Sequence, residues 1–148
     1  MTDTTNALHI VCPHCHTTNR VRVADMRNAP SCGQCHQALF AGDALALDAT
    51  GFDKHIGRNQ IPVLVDFWAP WCGPCRMMAP AYEQAAGLLE PQVRLAKLNT
   101  EEAQAIAARY NIRSIPTLAL FMGGKEVARQ AGAFRTAKDI ADWTRSHL

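Results

Sequence analysis

Residues 66–75 read Asp66-Phe67-Trp68-Ala69-Pro70-Trp71-Cys72-Gly73-Pro74-Cys75, and they connect a strand-like segment to a helix-like segment. The strand-like segment, residues 61–68, is apolar and rich in β-branched side chains, which favours a buried central strand. After Cys75, apolar residues recur at helical spacing: Met78, Ala81, Ala85, Leu88 and Leu89. The pattern therefore predicts a Cys-x-x-Cys pair in the first turn of a helix.

A cysteine at the start of a helix is chemically distinctive. Free backbone N–H groups and the helix dipole favour negative charge there, so the thiolate of Cys72, which is the nucleophilic form, is favoured over the thiol. Cys75, one turn deeper, is placed to resolve a mixed disulfide on Cys72. Gly73 permits close approach of a partner, and Pro74 is tolerated in a first helical turn. Taken alone, however, a Cys-x-x-Cys pair is equally compatible with half of a metal site.

The rest of the chain after about residue 44 alternates between strand and helix patterns. Strands are predicted at 44–47, 61–68, 93–98, 117–122 and 126–130, and helices at 48–57, after Cys75, around 103–110 and from Thr136 onward. Gly123-Gly124 marks a hairpin turn between the last two strands. The predicted order is β-α-β-α-β-α-β-β-α, which indicates an α/β fold with helices on both faces of a mixed sheet.

The segment 66–75 resembles the active-site segment of the thioredoxins almost residue for residue. The resemblance continues through Lys97, Ile115-Pro116-Thr117 and Gly132-Ala133, and it covers about residues 45–148. It implies the thioredoxin fold and a protein-disulfide reductase that works through a redox-active Cys72–Cys75 disulfide. Its implied partners are disulfide-containing proteins and an NADPH-dependent thioredoxin reductase, and no nucleotide is expected to bind this chain itself.

The resemblance also implies roles for single residues. Asp66 would be a buried carboxylate that exchanges a proton with Cys75, with its pKa raised by burial and tuned by Lys97. Without the resemblance, Asp66 is better explained as a strand-end carboxylate and Lys97 as a solvated edge charge. Pro116 would be a cis-proline opposite the disulfide, beside which an extended substrate segment pairs. The implied contact surface comprises Trp71, Gly73, Pro74, Ile115, Pro116, Gly132 and Ala133.

Four further cysteines form two Cys-x-x-Cys pairs, Cys12/Cys15 and Cys32/Cys35, separated by sixteen residues. This spacing predicts a four-thiolate zinc site, and because four ligands leave no open position, the zinc is predicted to be structural. Two disulfides and an iron–sulfur cluster are the alternatives. Three nearby histidines are expected at the surface: His14, His16 and His36. The second turn and the Leu39-Phe40-x-Gly42 that follows it resemble the zinc-containing bacterial thioredoxins known as thioredoxin 2.

These features predict two units, a zinc-binding module at residues 1–44 and a thioredoxin domain at residues 45–148. The first segment shows little strand or helix periodicity, so we expect metal binding rather than a hydrophobic core to supply most of its folding energy. Its three arginines are balanced by three aspartates, which argues against nucleic-acid binding. A zinc-dependent redox-sensing or interaction module, and a disulfide oxidase or isomerase of the same fold, are the rival functions.

Composition predicts a cytoplasmic protein, and the resemblance to thioredoxin 2 implies a bacterial one. The chain has 148 residues with a formal net charge of +2, no apolar run of membrane-spanning length, and an opening segment without a secretory signal pattern. In a reducing compartment, six cysteines indicate metal binding or redox chemistry rather than a disulfide framework. A monomer is the default expectation, with no membrane partner.

Overall fold

The computed structural model describes residues 6–148. Its strands are β1 Ala7–Val11, β2 Thr18–Arg22, β3 Leu45–Leu47, β4 Val63–Trp68, β5 Arg94–Asn99, β6 Thr117–Met122 and β7 Lys125–Ala131. Its helices are α1 Ala49–Arg58, α2 Gly73–Leu89, α3 Gln104–Arg109 and α4 Ala137–Arg145. From β3 onward the order is β-α-β-α-β-α-β-β-α, so the predicted α/β architecture is confirmed.

A five-stranded mixed sheet with the strand order β3-β5-β4-β6-β7 forms the centre of the molecule. β4 runs parallel to β5 and antiparallel to β6. Since β4 is covered on both faces, its residues from Val63 to Phe67 are all buried, as the continuous apolar pattern predicted. This central strand delivers the chain directly to the Cys-x-x-Cys segment at its carboxyl end.

The helices cover both faces of the sheet. On one face, side chains of α2 and α4, among them Tyr82, Leu89 and Ile140, pack on the sheet. On the other face, α1 and α3 contribute Phe52 and Ile106 to a second buried cluster. Each helix buries an apolar stripe, which is the main source of stability for a helix in water. Helix α2 is thereby held by the sheet beneath it and by α4 beside it.

Side-chain caps account for the starts of α1 and α4. The carboxylate of Asp48 accepts a hydrogen bond from the Gly51 N–H at 2.6 Å, so Asp48 caps α1 and the helix begins one residue later than predicted. The Thr136 hydroxyl accepts from the Asp139 N–H at 3.1 Å, so Thr136 caps α4, which likewise begins one residue after the predicted start.

Residues 6–44, which we call the arm, contain more regular structure than the sequence indicated. β1 and β2 form an antiparallel hairpin, with Ala7 opposite Arg22 and Val11 opposite Thr18. The sequence pattern did not reveal this hairpin because the hairpin buries only a few side chains. Strand alternation is weak where one face packs on so small a core.

The arm also has a small hydrophobic cluster, contrary to expectation. Ile10, Val21, Met26 and Leu39 are buried together with Cys12 and Cys32, and Ile61 completes the cluster. Ile61 belongs to the other side of the proposed boundary between residues 44 and 45. The two units therefore share a core, and their division into separate domains stays a prediction.

A buried arginine fastens the arm to the sheet. Arg94, the first residue of β5, is only 1% exposed. Its guanidinium donates to the Leu39 carbonyl at 2.7 Å and the Glu90 carboxylate at 2.6 Å, and lies 4.7 Å from the centre of the Phe40 ring. A buried cation needs such partners because water no longer solvates it.

The arm also contacts the end of α1. The Asn59 side chain accepts a hydrogen bond from the Val11 N–H at 2.7 Å, and a ring nitrogen of His16 lies 3.1 Å from one of His55. The His55 side chain is fully buried, and burial lowers its pKa to about 3, so the imidazole is neutral. His16 is half-buried in this contact, which corrects its assignment to the free surface.

Within residues 6–148, no helix is both long and apolar enough to cross a bilayer. The prediction that the chain lacks a secretory signal rests partly on residues 1–5. These residues lie outside the described part of the chain.

Candidate functional site

The paired cysteines lie at the N-terminal end of α2. Cys72 occupies the N-cap position, Gly73 and Pro74 form the first helical positions, and Cys75 follows with its Cα 5.3 Å from that of Cys72. The two sulfurs are joined as a disulfide, and the Cys75 N–H donates to the Cys72 sulfur at 3.2 Å. A sulfur that leaves this bond as Cys72 thiolate would thus meet a backbone donor and the positive end of the helix dipole.

The disulfide itself is largely covered, but its rim is open. Cys72 is 4% exposed and Cys75 2%, whereas Trp71 is 66% exposed, and Gly73 and Pro74 are exposed as well. A large aromatic surface left in water beside a reactive group is typical of a contact surface for a partner. A macromolecule that approaches Cys72 from this side would therefore contact Trp71, Gly73 or Pro74.

The opposite wall comes from the start of β6 and the end of β7. The Ile115–Pro116 peptide bond is cis, and the Ile115 carbonyl oxygen lies 3.8 Å from the Cys72 sulfur. The Gly132 N–H donates to the Pro116 carbonyl at 2.9 Å, and Gly132 and Ala133 are exposed. The fold thus brings segments about forty and sixty residues apart in sequence to one rim around the sulfurs.

Asp66 lies beneath the disulfide on β4. It is 4% exposed, its register neighbour on β5 is Lys97, and no hydrogen-bond partner for its Oδ1 atom is found within residues 6–148. Burial raises the pKa of Asp66 to about 7, and the positive charge of Lys97 opposes this rise. The carboxyl is therefore able to exchange a proton near neutral pH.

A cavity of 140 Å³ connects Asp66 to the resolving cysteine. Its lining consists of Asp66, Trp68, Cys75, Arg76, Ala79, Tyr82, Glu83 and Lys97. Larger surface hollows, of 490 and 870 Å³, lie along β1 at the junction with the arm, and no cysteine lines them. We assign the chemistry to the smaller cavity because a redox sulfur and a carboxyl with a raised pKa meet there.

Glu83 and Tyr82 in this lining were missed from the sequence. Cys75, Ala79 and Glu83 follow one another at intervals of four residues on α2, so helical spacing could have placed Glu83 on the same face as Cys75. Nothing in the sequence pattern separates Tyr82 from an ordinary core aromatic residue. Its hydroxyl donates to the Ala96 carbonyl of β5 at 2.7 Å, which holds α2 against the sheet.

The other four cysteines form a compact cluster in the arm. Their four sulfur atoms lie within 4.8 Å of one another, with Cys12 and Cys35 at 3.6 Å and Cys15 and Cys32 also at 3.6 Å. Four thiolates bound tetrahedrally at about 2.3 Å from one Zn²⁺ would be about 3.8 Å apart. The residues therefore fit a structural zinc ion, and the soft thiolate donors suit zinc chemically.

The two Cys-x-x-Cys turns repeat one geometry. In each, the N–H of the first cysteine donates to the carbonyl five positions later, at 2.9 Å in the first turn and 2.8 Å in the second. In each, two backbone N–H groups point at the first sulfur, at 3.3 and 3.5 Å. His16 and His36 close the turns with left-handed φ values of 64° and 66°. Such turns hold the first sulfurs, those of Cys12 and Cys32, in defined positions.

Four thiolates so close together require a cation to offset their negative charges. Burial raises the pKa of Cys12 to about 12, whereas hydrogen bonds, above all from the Cys35 N–H, lower the pKa of Cys32 to about 5. A bound divalent ion would stabilise all four thiolates together. His14 and His36 are exposed, and neither they nor His16 belong to the sulfur cluster.

Comparison with known proteins identifies the family. The family model described as Thioredoxin matches residues 43–146. This chain belongs to the thioredoxin family. It is 44% identical over 139 residues to thioredoxin C-3 of Corynebacterium nephridii, and the alignment covers 94% of each chain. An alignment of that length extends beyond residues 45–148, so the similarity to this thioredoxin includes part of the arm.

Other relatives match a shorter part of the chain. Thioredoxin 1 of Synechococcus elongatus is 50% identical over 90 residues, which cover 61% of this chain and 83% of the relative. Among solved structures, a mutant thioredoxin from Halobacterium salinarum matches with a TM-score of 0.64 at 33% identity, covering 73% of this chain and 93% of that one. As a thioredoxin, the chain is a thiol–disulfide oxidoreductase.

Proposed function

We propose that the chain reduces disulfides in proteins through the Cys72/Cys75 pair. The Cys72 thiolate attacks a substrate disulfide, forming a mixed disulfide and releasing one substrate thiolate. The Cys75 thiolate then attacks the Cys72 sulfur, which releases the second substrate thiolate and forms the Cys72–Cys75 disulfide. Two electrons pass to the substrate. The observation that carries this proposal is the position of Cys72 at the start of α2, with Cys75 behind it.

Asp66 serves as the proton acceptor for Cys75 in this proposal. A thiol must lose its proton before it attacks, and a base with a pKa near 7 accepts and returns that proton efficiently at neutral pH. The cavity lined by Asp66 and Cys75 is large enough for water to carry the proton between them. Lys97 tunes the carboxyl through its positive charge.

The substrates are proteins that present a disulfide in an extended segment. Such a segment can pair with the backbone at Ile115, in the manner of an added strand. The rim that surrounds it supplies apolar contact. Because the rim is shallow, it suits a protein partner better than a small ligand, which needs an enclosed pocket. The proposed contact residues are Trp71, Gly73, Pro74, Ile115, Pro116, Gly132 and Ala133.

Re-reduction by an NADPH-dependent thioredoxin reductase completes the cycle. Support comes from the relatives, which are named thioredoxins, and from a Gly-Pro pair between the sulfurs that resembles the reducing members of the family. We place the protein in the bacterial cytoplasm as a monomer. An oxidase or isomerase of the same fold would instead show a much less reducing potential in equilibrium with glutathione.

The four arm cysteines are proposed to hold one structural Zn²⁺ in a chain of the thioredoxin 2 type. Cys12, Cys15, Cys32 and Cys35 would be the ligands. The ion would neutralise their thiolates and fix the two turns against β1 and β2, while taking no part in disulfide exchange. The distance fit of the sulfurs supports this assignment.

Reduction of a protein disulfide by NADPH and thioredoxin reductase tests the catalytic proposal. We expect Cys72→Ser to abolish turnover, because it removes the sulfur that attacks the substrate disulfide in this proposal. The matched variant Cys75→Ser retains the attacking sulfur, so it should accumulate a mixed disulfide with substrate, detectable by mass. Turnover by Cys72→Ser at the rate of the unmodified protein would refute the assignment.

A further inference from the structure

Glu83 joins three parts of the molecule at the mouth of the Asp66 cavity. It lies on α2, on the same helix face as Cys75. One carboxylate oxygen lies 3.4 Å from the Lys97 ammonium on β5, and the other accepts the Ala44 N–H at 2.9 Å, just before β3. Each oxygen of Glu83 thus has its own partner, which limits the movement of the side chain.

Lys97 lies between two carboxyl groups. Asp66 is its register neighbour on β4, and Glu83 faces it from α2. The Lys97 ammonium also lies 6.0 Å from the centre of the Trp68 ring, which limits where the side chain can go. Lys97 is partly exposed, whereas Asp66 is buried, so Glu83 forms the outer side of the arrangement.

The charges that face Asp66 come from two elements. β5 contributes Lys97, and α2 contributes the other polar groups of the cavity lining: Cys75, Arg76, Tyr82 and Glu83. From β6, the register neighbour is Leu118, which carries no charge. Because the carboxyl is buried and its Oδ1 atom has no partner within residues 6–148, a change of one charge in this set alters its pKa, with partial screening by solvent at the cavity mouth.

We infer that Glu83 is a positioning residue for the disulfide exchange: it holds the Lys97 ammonium at the cavity mouth and offsets its charge, so that Asp66 keeps a proton to exchange near neutral pH. This inference rests on the proposed function of Asp66. Glu83 acts through Lys97 and touches neither sulfur. Without the negative charge of Glu83, Lys97 would favour the ionised form of Asp66, and the carboxyl would release its proton at a lower pH.

The two members of the ion pair therefore shift the titration of Asp66 in opposite directions. Replacing Glu83 with Gln removes the charge but retains an acceptor for the Ala44 N–H, so the midpoint of the Asp66 titration should fall by about half a pH unit. Replacing Lys97 with Gln removes the favourable cation, so the midpoint should rise by a similar amount. A side chain that served only to hold α2 in place would not produce this opposition of signs.

Carbon-detected NMR of the side-chain carboxyls in the oxidised full-length protein tests the inference. Asp66→Asn identifies the Asp66 signal, and Glu83→Gln and Lys97→Gln are titrated beside the unmodified chain. Glu126→Gln is the matched control, because Glu126 also pairs with a cation, Arg129 at 2.6 Å, but lies on β7 away from the cavity. In Glu83→Gln, the same half-unit shift leaves more Asp66 ionised on the acidic limb of the pH profile. It should therefore raise kcat/KM there about threefold.

The inference fails if Glu83→Gln leaves the Asp66 midpoint where Glu126→Gln leaves it, or moves it in the same direction as Lys97→Gln. Its failure is separable from that of the proposed function. If Cys72→Ser remains active, the proposed function itself is wrong. If Cys72 and Asp66 are both required but Glu83→Gln shifts nothing, only the role of Glu83 is overturned.

Discussion

Asp66 is a buried side chain whose raised pKa suits proton exchange but lowers the stability of the folded protein at neutral pH. An ordinary carboxyl ionises well below neutral pH, but this one lies between β5 and β6 with little water, and its pKa rises to about 7. In the unfolded chain the same group ionises at its usual value. The folded protein therefore binds more protons than the unfolded one between about pH 4 and pH 7, and Asp66 lowers the stability as pH rises through that range.

Asp66→Asn should remove this pH dependence. We expect the variant to gain stability relative to the unmodified protein on going from pH 4 to pH 8, by at most about 4 kcal/mol, because the buried charge is no longer formed. Urea unfolding of the oxidised proteins at both pH values measures the difference. Parallel stability curves for the two proteins would show that Asp66 is not desolvated as described.

The two Cys-x-x-Cys turns and the β1–β2 hairpin form the least self-sufficient elements of the fold. Both strands are only five residues long, and an isolated two-stranded hairpin is marginal in water. The turns direct N–H groups at the sulfurs of Cys12 and Cys32, which suits thiolates bound to a cation. If they hold the proposed Zn²⁺, their order should depend on that ion more than the order of the central sheet does.

Removal of the proposed Zn²⁺ with a chelator, under reducing conditions, should loosen the arm first. We expect faster amide hydrogen exchange in residues 7–22 and 31–39, with exchange in β4 much less affected, because the arm loses its four-fold crosslink and the sheet keeps its core. Hydrogen-exchange mass spectrometry measures this, and adding zinc back is the control. Equal exchange with and without chelator would contradict a structural metal at these cysteines.

Across the whole molecule, the Arg94–Glu90 pair unites the arm and the sheet. Both side chains are almost fully buried, and the Glu90 carboxylate also accepts the N–H of Gly42 in the arm at 2.9 Å. The arm thus packs beside the start of β5, while the disulfide lies at the far end of β4. The arm reaches the catalytic region through Ala44, whose N–H binds Glu83.

Arg94→Leu should destabilise the whole chain by about 3–5 kcal/mol, because it leaves the Glu90 carboxylate buried without its cation. The double variant Arg94→Leu/Glu90→Gln should recover part of this loss. Thermal and urea unfolding of the full-length proteins test both, with disulfide reduction measured at a temperature where each is folded. A loss no larger for Arg94→Leu than for the double variant would show that the pair is not coupled.

The amino-acid order alone was sufficient for the main architecture and for the residues of the redox pair. A continuous apolar strand, a Cys-x-x-Cys segment and an amphipathic helix are local patterns, and local patterns specify element type and order. The arm hairpin was missed because only a few of its side chains face inward. Helical spacing could have placed Glu83 on the face of Cys75, but its pairing with Lys97 depends on segments that meet only after folding. The burial of Arg94 and the His16–His55 contact depend on such meetings as well. Charge pairing and burial are properties of that meeting, so the tertiary structure determines which carboxyl retains a proton and how the arm is held.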